Sequence, residues 1–289
     1  MRDESFKPGV AIQWLEEELA GDQTHGRNIL TKLRQQGESA GGTLAAVFRA
    51  YREWVEQNRV RGYTPDVIRK RVEALNQYKG KVADAPFSPQ SKFHSSILEE
   101  FLYYLFRDLL NEINQKSAEE NVSQTIGVGG IRAYSSLYFA PENLPAFLRS
   151  PRMRIHEKDQ DFAIYRRVEI QADGERRIVN VPVVSIECKT YIDKTMLEGS
   201  VATAEKIKMG NPYCLFIVVT EWYDVSYEVD PKYSRIDQIY VLRREKRRAS
   251  TSSLIHADVV IDLFELVRDH LRREWSQIEE KVKREGKVL

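Results

Sequence analysis

The sequence has few cysteines, no long hydrophobic run and almost no net charge. Its two cysteines, Cys188 and Cys214, lie in apolar runs, which argues against a disulfide framework and predicts reduced, buried thiols in a cytoplasmic protein. No apolar run reaches membrane-spanning length, and the first residues lack the apolar core of a signal peptide, so we expect no membrane association. Because 44 basic residues face 43 acidic ones, any nucleic-acid-binding surface must come from local segregation of charge.

The pattern of apolar residues predicts two regions in the 289-residue chain. Apolar residues at helical spacing predict a helical N-terminal region over residues 1–92. Residues 93–289 predict an α/β domain that ends in a C-terminal helix over about 257–284. A strand, a turn and a second strand are expected over 161–186, and strand–helix–strand over 181–219 predicts a crossover unit. The expected fold is therefore a mixed central sheet flanked by helices.

A glycine-rich segment, Ile126-Gly-Val-Gly-Gly130, predicts a loop after a long helix that begins near Ser96. The segment lacks the Lys-Ser/Thr ending of a phosphate-binding P-loop. Nucleotide binding there is therefore not expected.

The most informative stretch is an apolar run over 181–186 that ends in Glu187, Cys188 and Lys189. Side chains alternate along a strand, so Glu187 and Lys189 share one face while Cys188 points to the other. Burying a carboxylate beside an ammonium group is costly unless partners compensate both charges. A divalent metal ion and a phosphate would do so, and the acid Asp161 at the start of another apolar strand could supply a second ligand. The pattern predicts a Mg²⁺-dependent nuclease in which Lys189 holds the attacking water and neutralises charge.

Several acids around this stretch carry competing interpretations. The Glu187–Lys189 pair can also be an ordinary ion pair at a strand end. Asp159 competes with Asp161, but Asp161 directly adjoins the apolar strand and is preferred. Glu99 and Glu100, on the helix that begins near Ser96, are accessory metal-ligand candidates, although Ser96-Ile-Leu-Glu99 also fits a capping box that only stabilises a helix start.

Two further sets of residues have a weaker chemical signal. The basic run Arg243, Arg244, Lys246, Arg247 and Arg248 follows a predicted strand, and it either contacts DNA phosphates or forms a solvated loop. The five histidines show no zinc-binding spacing with the cysteines. Nucleophilic catalysis by Cys188 is disfavoured because its side chain is expected to point away from the charged pair.

The acid at 161, the Glu187-x-Lys189 motif on the next strand and the helix after it resemble the PD-(D/E)xK nuclease superfamily. Further blocks are similar to type II restriction endonuclease subunits of the BbvCI kind, over roughly residues 90–270. These blocks are 96–101, 181–189, 196–197, 203–205, 212–215, 236–240 and 242–243. In place of the proline of the superfamily's name, this chain has Gln160.

The resemblance implies Mg²⁺-dependent cleavage of double-stranded DNA at a short specific sequence, leaving 5′-phosphate and 3′-hydroxyl ends. Asp161, Glu187 and Lys189 would be the catalytic set, and the target would resemble CCTNAGC. Relatives of this kind work as heterodimers in which each subunit cuts one strand, so we expect a heterodimer with a related nuclease subunit or a homodimer. A cognate DNA methyltransferase would protect the host DNA. Two alternatives remain open: another nuclease on the same core, acting in repair or at junctions, or a DNA-binding subunit that does not cut.

Overall fold

The computed structural model describes residues 6–19, 22–37, 42–83, 85, 92–172, 174–247 and 253–288. Within these ranges the chain forms nine α-helices and five β-strands. The helices are α1 (Pro8–Glu18), α2 (Thr24–Gln36), α3 (Thr43–Gln57), α4 (Pro65–Val82), α5 (Phe93–Glu119), α6 (Leu144–Arg149), α7 (Lys194–Gly210), α8 (Ala257–Arg272) and α9 (Ile278–Glu285). The strands are β1 (Gly127–Phe139), β2 (Met153–Ala172), β3 (Glu175–Ile192), β4 (Leu215–Tyr223) and β5 (Gln238–Val241).

The five strands form one mixed sheet in the order β1-β2-β3-β4-β5. The β1–β2 and β2–β3 pairs are antiparallel, whereas β3–β4 and β4–β5 are parallel. Since parallel neighbours need a crossover, the chain passes through α7 between β3 and β4, as the sequence predicts. The predicted mixed sheet with flanking helices is confirmed.

Helices cover both faces of the sheet, because alternate side chains of a strand point to opposite faces and both sets are apolar. Ile217 and Val219 of β4 pack into a large core with helices α1 to α5 and α8, while Phe216 and Val218 pack with α7 on the opposite face. The N-terminal helices are part of the larger core, which continues without a break past residue 92. Helices α5 and α8 contact this face of the sheet, and the N-terminal helices form an outer layer that packs on them through α2 and α4.

The glycine-rich segment predicted as a loop is instead the start of β1, and that prediction is wrong. Gly129 has a φ of +123°, and a Cβ on Gly130 would lie 3.3 Å from the carbonyl oxygen of Asp161. The glycines are therefore used for close approach of β1 to β2. The predicted C-terminal helix also differs, because it divides into α8 and α9, and α9 has no buried residue.

A β-bulge interrupts the β2–β3 pair near its middle and shifts the pairing of the two strands by one residue. Ile164 pairs with Val184, but Tyr165 pairs with Pro182, so Val183 is the extra residue. Its carbonyl oxygen accepts a hydrogen bond from Nε2 of His270 on α8, at 3.1 Å. The Pro182 carbonyl accepts one from the amide of Asn211, at 2.8 Å. Side chains outside the sheet thus satisfy the carbonyls at the bulge.

In the part of the chain that the structure describes, no helix combines the length and apolar character needed to cross a bilayer.

Candidate active site

The two predicted catalytic acids lie where β2 and β3 separate. The last pair in the antiparallel ladder is Phe162 with Ile186, and the next residues on the two strands are Asp161 and Glu187. The Cys188 backbone N–H donates to Oδ2 of Asp161 at 2.9 Å. The aspartate therefore satisfies a backbone donor at the end of the ladder, and this contact fixes its carboxylate beside β3.

Lys189 lies between the two acids. Its Nζ is 3.9 Å from Oδ2 of Asp161 and 4.0 Å from Oε1 of Glu187. Charge-assisted hydrogen bonds between such groups are usually about 2.7–2.9 Å long. The three groups are thus close together without forming tight ion pairs, and their partly exposed side chains can be approached from solvent. This spacing disfavours an ordinary ion pair at the strand end as the whole explanation.

The donor set offers hard oxygen atoms of the kind that Mg²⁺ prefers. Oε2 of Glu187 is buried and has no hydrogen-bond partner among the described residues, so it is an acceptor that a cation would satisfy. Across the same residues, no three acidic, histidine or cysteine side chains are grouped closely enough to form a complete metal site. Mg²⁺ commonly binds through one or two carboxylates and completes its shell with waters and substrate phosphate, so the pair of acids fits the ion.

Glu99, on α5, is electrostatically coupled to these groups. Its side chain is almost fully buried, and burial, followed by the negative charge of Asp161, raises the pKa of Glu99 to about 7. The positive charges of Lys92 and Lys189 act in the opposite direction. The capping-box interpretation of Ser96 and Glu99 is wrong, because α5 begins at Phe93 and Ser96 lies inside the helix.

Glu100 points toward the N-terminal helices, away from Asp161. Its carboxylate accepts hydrogen bonds from the backbone N–H of Gly26 at 2.9 Å, from the Tyr51 hydroxyl at 2.8 Å and from the Tyr104 hydroxyl at 3.0 Å. Successive residues of a helix point about 100° apart, so Glu99 and Glu100 cannot share one ligand position. The structure therefore contradicts the candidacy of Glu100 as a metal ligand and assigns it to the packing of α2, α3 and α5.

Cys188 and Asp159 lie in surroundings unlike those of Asp161, Glu187 and Lys189. Cys188 is buried in the core, and burial raises the pKa of its thiol well above the ordinary value, which opposes formation of a nucleophilic thiolate. Asp159 is exposed and pairs with Arg132 of β1 in the β1–β2 ladder. The geometry thus favours Asp161 over Asp159 and leaves no catalytic position for the thiol.

Two residues of the basic run are engaged in contacts within the protein. Arg243 bonds to the buried carboxylate of Glu221 at 2.8 Å, and its guanidinium lies over the Trp222 ring. Arg244 forms an ion pair with Asp258 at the start of α8. Since their charges are already compensated, these two arginines hold the segment after β5 in place.

Lys246 and Arg247 have different surroundings. Nζ of Lys246 lies 4.4 Å from the centre of the Tyr227 ring, and the Arg247 guanidinium carbon lies 5.0 Å from the centre of the Tyr191 ring. Neither side chain has a carboxylate partner among the described residues, so both cations remain available to an anion. Arg248 falls outside the described residues.

The sequence profile of the Bpu10I restriction endonuclease family matches residues 90–259, more than half of the chain. The chain belongs to the Bpu10I restriction endonuclease family. The matched residues include Glu99, Asp161, Glu187 and Lys189. Family membership confirms the resemblance to type II restriction endonuclease subunits and identifies the chain as a DNA-cleaving hydrolase.

A solved structure agrees with this fold. The chain matches a structure described as the native BbvCI A2B2 tetramer at low resolution, with a TM-score of 0.65 and 21% sequence identity. The match covers 91% of this chain and 97% of the BbvCI chain. At this identity the likeness establishes the fold, including the N-terminal helices outside the family profile. No curated protein sequence shows a significant match.

The hydrogen bond from the Cys188 backbone N–H to Asp161 was not predicted from the sequence. The only signal for it is the register of the β2–β3 pair, which the sequence does not give.

Proposed function

We propose that this member of the Bpu10I family cuts one strand of double-stranded DNA at a short specific sequence, in a Mg²⁺-dependent reaction. The observation that carries the proposal is the position of Lys189, whose amine lies within 4.0 Å of both Asp161 and Glu187 at the point where their strands separate. Two acids and one amine in this arrangement form a compact site for a phosphodiester.

The proposed reaction is hydrolysis at phosphorus. Lys189 orients a water molecule, whose oxygen forms a bond to phosphorus while its proton passes to solvent. The bond from phosphorus to the 3′-oxygen breaks, and that oxygen takes a proton from solvent, which leaves 5′-phosphate and 3′-hydroxyl ends. The Lys189 ammonium group also stabilises negative charge that develops on the phosphate oxygens. Mg²⁺ held by Asp161 and Glu187 would polarise the phosphate and lower the pKa of a bound water.

Glu99 is the accessory acid in this proposal. Burial and then the charge of Asp161 raise the pKa of Glu99, and a nearby cation would make this carboxyl easier to ionise. Metal binding would therefore favour its charged form, either as a direct ligand or through water.

The test is cleavage of plasmid DNA by the purified chain with Mg²⁺ and, separately, with Ca²⁺. Discrete fragments or a nick at one sequence, with CCTNAGC-like sites examined first, are expected with Mg²⁺. Cuts that depend on DNA structure would indicate a repair or junction nuclease, and binding without cuts would indicate a non-cleaving subunit.

Lys189→Ala provides the matched variant for the same assay. We expect it to abolish cleavage while DNA affinity changes little, because the lysine acts on the reacting phosphate. Cleavage at the wild-type rate by Lys189→Ala would remove this residue from the mechanism.

The assembly is proposed from the tetramer of two A and two B subunits described for BbvCI. We propose that this chain pairs with a related nuclease subunit, each cutting one strand, and that a cognate methyltransferase protects host DNA. Nicking by this chain alone, converted to double-strand cleavage by a second nuclease subunit, is the expected result. Complete double-strand cleavage by the purified chain alone would instead support a homodimer.

A further inference from the structure

A cleft of about 610 Å³ opens at the C-terminal ends of β3 and β4, close in sequence to the proposed catalytic residue Lys189. Thr190 and Tyr191, which directly follow Lys189 on β3, line it together with Lys79 of α4 and His94 of α5. Trp222, Arg243 and Arg247 also line this space, which we call the Tyr191 cleft. The cleft therefore begins at the residue that follows Lys189 on β3.

The charges that line the cleft favour an anion. Glu221 is its one acidic lining residue among those described, and this buried carboxylate contacts both Lys79, at 2.6 Å, and Arg243, at 2.8 Å. One negative charge thus faces two positive charges at the base of the cleft. Burial, then Lys79, lowers the pKa of His94, so the positive charge of the lining is assigned to Lys79, Arg243 and Arg247 and not to this histidine.

Arg247 supplies the further cation and is prepared for a ligand. Its guanidinium lies 5.0 Å from the centre of the Tyr191 ring, and its backbone N–H donates to Asp224 at 3.1 Å. The ring restricts the side chain, while the planar fork of the guanidinium keeps its donors available for a phosphate. With Lys79, Arg243 and Arg247 against Glu221, the net charge of the lining is positive.

The aromatic side chains add a second recognition element. Trp222 and Tyr191 both line the cleft, and aromatic rings commonly contact the bases and sugars of nucleic acids. Tyr191 follows Lys189 by two residues, which is about 6.6 Å along a strand. The combination of an uncompensated arginine, aromatic walls and proximity to the catalytic amine fits a nucleotide unit of the strand being cut.

We propose that the Tyr191 cleft binds the nucleotide next to the scissile phosphodiester, with Arg247 contacting the phosphate of that nucleotide. This inference rests on the proposed function, because it assumes that Asp161, Glu187 and Lys189 mark the scissile bond. It makes Arg247 a substrate-binding residue and Tyr191 the residue that positions it. The contact is to the DNA backbone, so it contributes affinity and register to any sequence.

The first experiment measures DNA affinity as a function of salt, with Ca²⁺ in place of Mg²⁺. Each phosphate contact contributes about 0.9 to the slope of log K against log salt concentration. Arg247→Gln is expected to lower the magnitude of this slope by about 0.9 on both specific and non-specific DNA. Tyr191→Leu, which keeps the charge of Arg247, is also expected to lower the affinity for DNA. Arg34→Gln, which removes an exposed charge paired with Glu16, is the matched control and should leave the slope unchanged.

The second experiment locates the contact. After the cleavage position has been mapped, single phosphates near it are replaced by neutral methylphosphonates, and binding is measured for the wild type and for Arg247→Gln. The substitution next to the scissile bond should weaken wild-type binding and have no further effect on Arg247→Gln. An interaction of Arg247 with a distant phosphate, or no change in slope for Arg247→Gln, would overturn the proposal.

These outcomes separate the cleft from the proposed function. If the wild type cleaves DNA but Arg247→Gln binds with an unchanged salt slope, the cleft proposal fails and the nuclease assignment stands. If the wild type neither binds nor cleaves DNA, both fail together. A third outcome is a smaller salt slope for Arg247→Gln together with DNA cleavage by Lys189→Ala. It would support a phosphate contact by Arg247 but show that Lys189 does not mark the scissile bond, and the position proposed for the bound nucleotide would be wrong.

Discussion

Asp159 and Asp161 lie two residues apart on β2, but only Asp161 contacts the backbone of β3. We expect Asp161→Asn to abolish cleavage, because a neutral amide is a weaker ligand for a hard cation and removes a charge beside Lys189. Asp159→Asn is expected to cleave at nearly the wild-type rate. Rates on a plasmid with a single site, measured at saturating Mg²⁺, compare the two variants.

This pair of variants is well matched, since both make the same chemical change on one strand. Thermal unfolding of each protein checks that activity loss is not caused by loss of the fold. The reverse pattern, with Asp159→Asn inactive and Asp161→Asn active, would show that the other acid serves the site.

Glu99 is the residue at which stability and activity are expected to conflict. Its pKa in the folded protein is about 7, above the ordinary value of 4.5, so the folded state holds its proton more tightly than the unfolded state. The associated stability is present below about pH 4.5 and is lost as pH rises through about 7. Glu99→Gln cannot ionise, so its free energy of unfolding should not fall over this pH range. At pH 8 the variant should be more stable than the wild type by up to about 3 kcal/mol, and at pH 5 the difference should be smaller.

Urea unfolding in a chelating buffer at the two pH values measures this effect. If Glu99 is the proposed accessory ligand, the same variant should cleave DNA more slowly, since the amide cannot supply a charged oxygen to Mg²⁺. A stability difference that does not grow between pH 5 and pH 8 would contradict the assignment of a raised pKa to Glu99.

At the scale of elements, Glu100 joins three helices through one carboxylate. Glu100→Ala would leave the Tyr51 and Tyr104 hydroxyls and the Gly26 N–H without their buried acceptor. An unsatisfied buried group costs about 1–3 kcal/mol, so we expect a loss of roughly 3 kcal/mol or more in the free energy of unfolding. Glu119→Ala, at the exposed end of α5, is the control and should change it by less than about 0.5 kcal/mol. A loss for Glu100→Ala no larger than that of the control would disprove this structural role.

The same elements show which features of the candidate site can be read from the sequence and which cannot. The apolar run that ends in Glu187 and Lys189 is visible in the sequence because burial of a strand requires a nearly continuous hydrophobic stretch. The register is not visible. Counting back from the turn, where Ala172 pairs with Glu175, would place Asp161 opposite Ile186. The bulge at Val183 shifts the ladder by one residue and brings Asp161 opposite Glu187.

The bulge depends on contacts between residues far apart in the chain. The Val183 carbonyl bonds to His270, 87 residues later, and such pairings follow from tertiary packing rather than from local pattern. The glycines at the start of β1 illustrate the same limit, because glycine indicates both loops and close strand contacts. The sequence does not show which of Glu99 and Glu100 points to the candidate site. That depends on which face of α5 meets the sheet and which meets the N-terminal helices.

At the scale of the whole molecule, the N-terminal helices and the sheet depend on one core. Ile97, Phe101 and Leu105 of α5 are fully or almost fully buried in the core that also contains α1 to α4. Deletion of residues 1–92 is therefore expected to expose a large apolar surface and to abolish cooperative unfolding. Deletion of residues 277–289, which include α9 with no buried residue, should leave the melting temperature nearly unchanged.

Soluble yield and circular dichroism melting curves compare the two truncated proteins. A cooperative transition in the protein that lacks residues 1–92 would show that the sheet and its remaining helices are an independent folding unit, contrary to the continuous core.

The unsatisfied Oε2 of Glu187 has a thermodynamic consequence for the protein in isolation. A ligand that binds the native state alone raises stability by an amount that grows with its concentration, about 2.7 kcal/mol at one hundred times its dissociation constant. Millimolar Mg²⁺ without DNA should accordingly raise the calorimetric transition by several degrees, and Glu187→Gln should abolish that rise. If the heat-capacity curves with and without the ion coincide, the resting enzyme does not hold metal, and the ion must arrive together with the nucleic acid.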